Sequence, residues 1–365
     1  MIDGGRLDRA KKSPIFNELK LKSIFFSQSI TYGPHTIAAM HAVFSGTYGS
    51  RTGTNSYWST YQFKKEKFKT ITEYLKEEQY HTCADIVNEL VIPKQGFDEF
   101  YIHDEYKDNL TQRHQKLLKE MKKISDEQKK FFLYIQYSNI HPTISEEVLK
   151  VYNNFSEEYF KNKKVNEQRY DNLFHNAEKY LNEILRTISE LDLFKNSLVL
   201  IMSDHGISTG EKIGERAYGA FCDDYTLRTF AYFIGDRFIP KEISQQVRTI
   251  DFMPTILDYF NISTDTKYEK IDGVSLLPII EGQTCDENIA FSETGNPLKE
   301  KAPPKEPNIK SVRTSKWKLI INEYNNTREL YNLEEDPNEK ENLSGSGLKI
   351  EQILWSEFLK INNNF

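Results

Sequence analysis

Charge-free runs alternate along this chain with polar and charged stretches, and the period of each run predicts an element. Ser197-Leu-Val-Leu-Ile-Met202 carries no charge over six residues and reads as a strand buried on both faces. Phe131-Phe-Leu-Tyr-Ile-Gln-Tyr137, Ile24–Ile30, His81–Ile86 and Leu227–Ile234 read as further strands. From Tyr170 the apolar positions Leu173, Phe174, Ala177, Leu181, Ile184, Leu185, Ile188 and Leu191 keep a helical period, which packs one face on a sheet. Shorter helices are predicted over Ser13–Lys20, Thr36–Phe44, Phe68–Glu78 and Phe252–Tyr259, the last with Pro254 in its first turn. Residues 104–130 are helical and highly charged, an outer layer or lid, and the aromatic, polar stretch Tyr152–Lys164 is expected to border a cleft. Three prolines and four charges make Glu300–Pro307 an exposed link. Short strands near Lys310–Val312 and Trp317–Ile321 and a helix over Lys349–Leu359 follow. This alternation predicts one large α/β unit over residues 1–285 and a small C-terminal α+β subdomain over 286–365.

Candidate chemistry collects at the ends of these elements. Ser203-Asp204-His205-Gly206 closes the charge-free run, and the carboxyl ends of strands in open α/β sheets are where ligands bind. A carboxylate beside a neutral imidazole suits a divalent metal; the alternative is a turn whose Asp and His cap the next segment. Met1-Ile-Asp3-Gly is the stump of another strand and offers a second oxygen ligand. Thr36 follows Gly33-Pro34-His35 at the start of an Ala-rich helix. A hydroxyl there sits in the positive end of the helix dipole, although an ordinary N-cap has the same signature.

In order along the chain, these segments resemble the sulfatase branch of the alkaline phosphatase superfamily. Ile2-Asp3-Gly-Gly-Arg6 is similar to the family's first strand and metal Asp, and Thr36 to Gly46 to its nucleophile helix. Tyr170 to Gly206 is similar to the long helix and the strand ending in Ser-Asp-His-Gly. Arg248–Leu257 and Asp272–Pro278 resemble the segments closing the main sheet, and Arg313–Ile320, Glu329–Leu333 and Asp336–Leu343 the C-terminal sheet. The resemblance implies a mostly parallel central sheet flanked by helices. It also implies one divalent ion (Ca, Mn, Mg or Zn) on Asp3, Thr36, Asp204 and His205, with Arg6 and Lys212 on the substrate anion and His141 at the leaving group.

Departures from the family pattern redirect the chemistry. Sulfatases proper oxidise Cys or Ser in a Cys/Ser-x-Pro-x-Arg motif to formylglycine, but this chain has Thr36, Ala38 and Met40 at those positions. A threonine cannot become that aldehyde. Superfamily relatives with an unmodified Thr (phosphoethanolamine transferases, lipoteichoic acid synthases, nucleotide pyrophosphatases) form a phospho-threonine. The resemblance therefore implies that Thr36 attacks phosphorus, in a hydrolase or phosphotransferase acting on a small-molecule or glycan ester. Two other readings stand beside it: a sulfuric-ester hydrolase without formylglycine, and a catalytically silent glycan- or partner-binding protein. All eight histidines lie at or before His205, which leaves a two-zinc site short of a ligand. Gly4, where many sulfatases carry a second Asp, thins the set further.

Composition narrows the remaining classes. Net charge is −6 with no sustained basic stripe, so nucleic acid has no electrostatic footprint here. No apolar run reaches the roughly 18–20 residues of a membrane span. Three widely spaced cysteines predict no disulfide framework and a reducing, cytoplasmic setting. Only Met1 and Ile2 precede Asp3, whereas strands usually run to about five or six residues; the first strand is expected to be truncated.

Overall fold

The computed structural model describes residues 1–56, 59, 62–295 and 306–363. Most of the Glu300–Pro307 link falls outside the described residues.

Two groups of strands build the large unit. In one, β1 (Ile24–Ile30) pairs antiparallel with β6 (Arg228–Gly235), which pairs antiparallel with β5 (Leu198–Met202). Two short strands, β7 (Lys241–Ile243) and β8 (Val247–Arg248), run parallel on the other edge of β1. In the second group β2 (Tyr80–Ile86) lies between β3 (Glu99–Ile102) and β4 (Lys130–Ile135), all parallel. Ile2 joins the groups, forming parallel bridges to Tyr137 just past β4 and to Ser203 just past β5. The central sheet is therefore mostly parallel, with β6 alone among its described strands running against both its neighbours. A third sheet, antiparallel throughout, orders β12 (Thr327–Asn332), β11 (Trp317–Asn322), β10 (Ile309–Arg313) and β9 (Ala290–Thr294).

Helices cover both faces. The Thr36–Ser45 helix is buried on every side because it is sandwiched between two sheets. Met40, Val43 and Phe44, at helical spacing, meet Phe26, Tyr134 and Phe233 of the central core, while Ala38 and Ala42 meet Val312 and Leu319 of the C-terminal sheet. The small residues let the second sheet approach, and truncating Phe44 to Ala would cost about 3–5 kcal/mol. Gly46 ends the helix at φ 60°, a left-handed conformation that favours glycine. On the opposite face the long helix spans Lys163–Glu190, starting earlier than its apolar period. Its Phe174, Ala177, Leu181, Ile184 and Ile188 pack with Phe16, Ile201 and Tyr232.

The charged 104–130 segment is a helix only over Leu110–Asp126. It is amphipathic and packs inward through Leu110, His114, Leu117, Leu118 and Met121. β3 escaped the sequence pattern because all four of its residues stay partly or fully exposed.

A buried ion network ties the C-terminal sheet to the large unit. Asp224 accepts from Arg313 Nη2 at 2.8 Å and Nε at 3.0 Å, and from Lys318 Nζ at 2.9 Å. Lys318 also pairs with Glu339 at 2.7 Å.

Candidate active site

Three elements deliver the central side chains. Asp3 follows the Ile2 bridge, Asp204 and His205 follow β5, and Thr36 opens its helix as the first helical residue. The N-cap is His35, whose Nδ1 accepts from Ala38 N at 3.4 Å. Thr36 is thus released from capping and its hydroxyl faces the sheet ends. Burial and the neighbouring His205 push His35 down to about 3, so it caps as neutral imidazole.

Asp3, Thr36, Asp204 and His205 converge and are all buried. Thr36 Oγ1 lies 3.3 Å from His205 Nε2 and 3.4 and 3.5 Å from the two oxygens of Asp3. His205 Nε2 is 3.6 Å from Asp3 Oδ1 and 3.6 Å from Asp204 Oδ2. Backbone geometry fixes the set. Gly206 is required after the pair, because a Cβ there would stand 2.1 Å from Tyr225 O. Gly4, at φ +67°, turns its N–H onto Asp204 Oδ1 at 3.1 Å.

The donor set fits a divalent cation. His205 Nδ1 lies 2.8 Å from Gly206 O, so the proton belongs on Nδ1 and the Nε2 lone pair faces Asp3 and Asp204. Asp204 Oδ2 is buried without a hydrogen-bond partner. Burial first, then the negative charge of Asp3, lifts the Asp204 carboxyl to about 6 against the opposing pull of His205. A buried pair of carboxylates crowded in this way calls for a cation. When bound by Asp3, Thr36, Asp204 and His205, such an ion would acidify the Thr36 hydroxyl and offset charge on an ester.

Two contributors have no local sequence signal. Gln136 Nε2 donates to Asp3 Oδ2 at 2.8 Å, holding that carboxylate. Tyr218 links two histidines: its hydroxyl is 2.7 Å from His141 Nε2 and its ring centroid 4.7 Å from that of His205. His141 itself opens a short helix (His141–Ile144), with Nδ1 3.3 Å from Glu105 Oε2. Burial alone would lower its pKa; contact with Glu105 and the charges of Asp3, Glu105 and Asp204 outweigh burial and raise it to about 9.

The two cations expected on the anion, Arg6 and Lys212, are each engaged by carboxylates. Arg6 spends its guanidinium on Asp8 (2.9 and 3.0 Å), Glu211 (2.7 Å) and Ile207 O (2.8 Å). Lys212 is held by Glu329 at 2.7 Å and Asp223 at 3.2 Å. Both cations are thus paired with neighbouring carboxylates. Arg6 ties the start of the chain to Ile207 and Glu211, and Lys212 ties the loop after His205 to β12 through Glu329.

A second buried group, Asp85, His103 and His114, lies outside this centre. Asp85 Oδ1 is 2.6 Å from His103 Nδ1, and its other oxygen takes Arg113 Nε. His103 Nε2 is 2.8 Å from Ser138 Oγ, and Ser138 O accepts from His141 N at 2.8 Å. Arg113 already supplies the counter-charge, and the array buttresses the turn that carries His141.

Comparison with known proteins gives the family and the fold. The sulfatase family model matches residues 8–262, and a model described as N-sulphoglucosamine sulphohydrolase, C-terminal, matches residues 236–363. The chain belongs to the sulfatase family, whose members typically bind a divalent metal. A choline-sulfatase of Rhizobium meliloti (strain 1021) is 26% identical over 164 residues, covering 44% of this chain and 30% of that protein. The match thus spans less than a third of the relative's length. Among solved structures, a protein in complex with its substrate D-glucosamine-2-N,6-O-disulfate superposes with a TM-score of 0.75 at 16% identity, covering 100% of this chain and 96% of the other. A putative sulfatase from Bacteroides thetaiotaomicron VPI-5482 gives 0.75 at 17% identity, covering 100% and 90%. At these identities the structural likeness establishes the fold alone.

Proposed function

We propose that this chain is a metal-dependent ester hydrolase or phosphotransferase that uses Thr36 as its nucleophile on phosphate esters. One observation carries the reading: the Thr36 hydroxyl, at a helix start, faces acceptor atoms of Asp3 and His205 at 3.3–3.5 Å. Thr36 Oγ1 gives its proton to the facing acceptor of Asp3 or His205 and attacks phosphorus, the ester P–O bond breaks, and the leaving oxygen takes a proton from His141, which stays protonated to about pH 9. Water, or another hydroxyl in a transferase, then attacks the phospho-threonine and regenerates Thr36.

Family membership favours a second reading, a sulfate-ester hydrolase acting on a sugar or small alcohol sulfate, in keeping with the choline-sulfatase name of the curated relative. Threonine argues against it, since sulfo-threonine lacks the aldehyde-hydrate exit. Matched aryl phosphate and aryl sulfate, assayed on the same metal-loaded protein, separate the two. The phosphoryl reading expects kcat/KM at least about tenfold higher for phosphate, roughly 1.4 kcal/mol; equal or reversed rates support the sulfate reading.

A further inference from the structure

Tyr218 stands between two histidines that serve different atoms of the reaction. Its ring lies over that of His205, with centroids 4.7 Å apart and planes tilted by 37°. Its hydroxyl is 2.7 Å from His141 Nε2. His205 Nε2 in turn meets Thr36 Oγ1 at 3.3 Å, so the ring is anchored beside the nucleophile while its oxygen meets the leaving-group histidine. The loop that carries Tyr218 is pinned on both sides of it. Ala217 O accepts from Ser208 N, and the buried Glu215 carboxylate accepts from Ala220 N at 2.8 Å and Phe221 N at 3.0 Å.

Both ring nitrogens of His141 already face a partner. Nδ1 is 3.3 Å from Glu105 Oε2, and Nε2 faces Tyr218. In its protonated form the imidazole has two N–H donors and no acceptor. One N–H then points to the Glu105 carboxylate and the other to the Tyr218 oxygen, which turns the Tyr218 hydrogen away from His141. His141 and Tyr218 are partly exposed, whereas Asp3, Asp204 and His205 are buried. An ester held at Thr36 therefore meets the hydroxyl of Tyr218 with a hydrogen free to give, and the imidazolium behind it.

We propose that Tyr218 is the general acid that touches the leaving oxygen, with His141 behind it as the proton source and Glu105 holding that histidine. This role rests on the ester cleavage proposed above and supplies the route of its proton. As the ester P–O bond breaks, the leaving oxygen takes the Tyr218 hydroxyl proton and the Tyr218 oxygen takes the Nε2 proton of His141. His141 is left neutral, with its remaining proton on Nδ1 toward Glu105. When water or an acceptor hydroxyl attacks the phospho-threonine, the chain runs backward: that oxygen gives its proton to Tyr218, and Tyr218 gives its own to His141. The Thr36 oxygen, leaving phosphorus, takes back the proton held at Asp3 or His205. Tyr218 begins and ends each half-reaction as a neutral phenol.

The test compares Tyr218→Phe with the parent, both loaded with Mn²⁺, on phenyl phosphate and nitrophenyl phosphate. The variant keeps the ring over His205 and loses only the hydroxyl, so the rise in Tm with Mn²⁺ should match the parent's. Its kcat/KM for phenyl phosphate should fall about 10²-fold or more. The loss on nitrophenyl phosphate should be at least about tenfold smaller, because nitrophenolate departs without a proton. Adding His141→Gln should cost no more than the larger single loss, since one proton path is broken only once. Equal losses on the two esters, no loss on phenyl phosphate, or a double variant whose losses multiply would each overturn the relay. If Tyr218→Phe folds poorly, Glu105→Gln carries the test from the far end of the chain and should likewise penalise phenyl phosphate more than nitrophenyl phosphate. The matching aryl sulfates read the same relay if the parent prefers them, so failure of the phosphoryl reading leaves a separate signature. Turnover of no aryl ester by the parent contradicts both.

Discussion

Thr36 Oγ1 lies 3.3 Å from Nε2 of His205, and the other nitrogen of that ring is held by Gly206 O at 2.8 Å. The hydroxyl of one element thus meets the lone pair of another, and the tautomer is set by the glycine that also lets the backbone turn. Asp3 and Asp204 bring two buried carboxylates to the same point. Charge crowding, more than any single hydrogen bond, marks this centre as a candidate metal site.

Removing one carboxylate should separate metal affinity from stability. Asp204 is lifted to about 6 by burial and by Asp3, so above that pH the metal-free fold carries a penalised charge. Asp204→Asn should raise the Tm of chelated protein at pH 8 while abolishing the rise in Tm that Mn²⁺ or Ca²⁺ gives the parent. Outer-shell partners of metal ligands already cost roughly 10–100-fold in affinity when lost, and a direct ligand should cost at least that. Thermal melts with and without metal check both halves, and undiminished metal stabilisation in the variant would refute the assignment.

His141 should set the alkaline limb of activity. Its pKa is raised to about 9, so the proton it would give to a leaving group is present below that pH and lost above it. A bound cation offsets Asp3 and Asp204 and should move the limb to lower pH. His141→Gln should lower kcat about 10²-fold or more for a poor leaving group and remove the limb. With a nitrophenol leaving group, which needs no proton, the loss should be much smaller. Equal losses with both substrates would reduce His141 to a structural residue.

The Asp224 network should hold the two units together. Against burial, which alone would raise it, Arg313 and Lys318 keep the Asp224 carboxyl far below the usual carboxylate range. That contribution is present above about pH 4, the ordinary aspartate value, and fades as pH falls below it. Arg313→Met leaves the buried carboxylate short of its bidentate partner and should cost about 3–5 kcal/mol, read by urea unfolding at pH 7. A loss under about 1 kcal/mol would mean that the network is replaceable.

Much of the centre was legible because its chemistry sits at element ends. A charge-free strand followed by Asp204 and His205, and a Gly-Pro break before Thr36, announce themselves locally. Gln136 and Tyr218 did not, since their roles arise only when distant segments meet. Nor does a charge in sequence reveal that Asp8 and Glu211 will pair with Arg6, or Asp223 and Glu329 with Lys212. Strand direction was equally hidden. An apolar run reads the same whether its neighbour is parallel or antiparallel, so the reversed direction of β6 within the mostly parallel sheet could not be read from composition.

Covalent capture at Thr36 tests the central claim most directly. Enzyme loaded with Mn²⁺, mixed with excess aryl phosphate and quenched in acid, should carry phosphate on the peptide containing Thr36. Thr36→Ala should show no phosphopeptide and no turnover while its Tm still rises with metal, because Asp3, Asp204 and His205 remain. Thr36→Ser should retain activity and carry the label on the serine. Full turnover by Thr36→Ala, with no label on that peptide in the parent, would contradict the account, because water would then attack the ester directly.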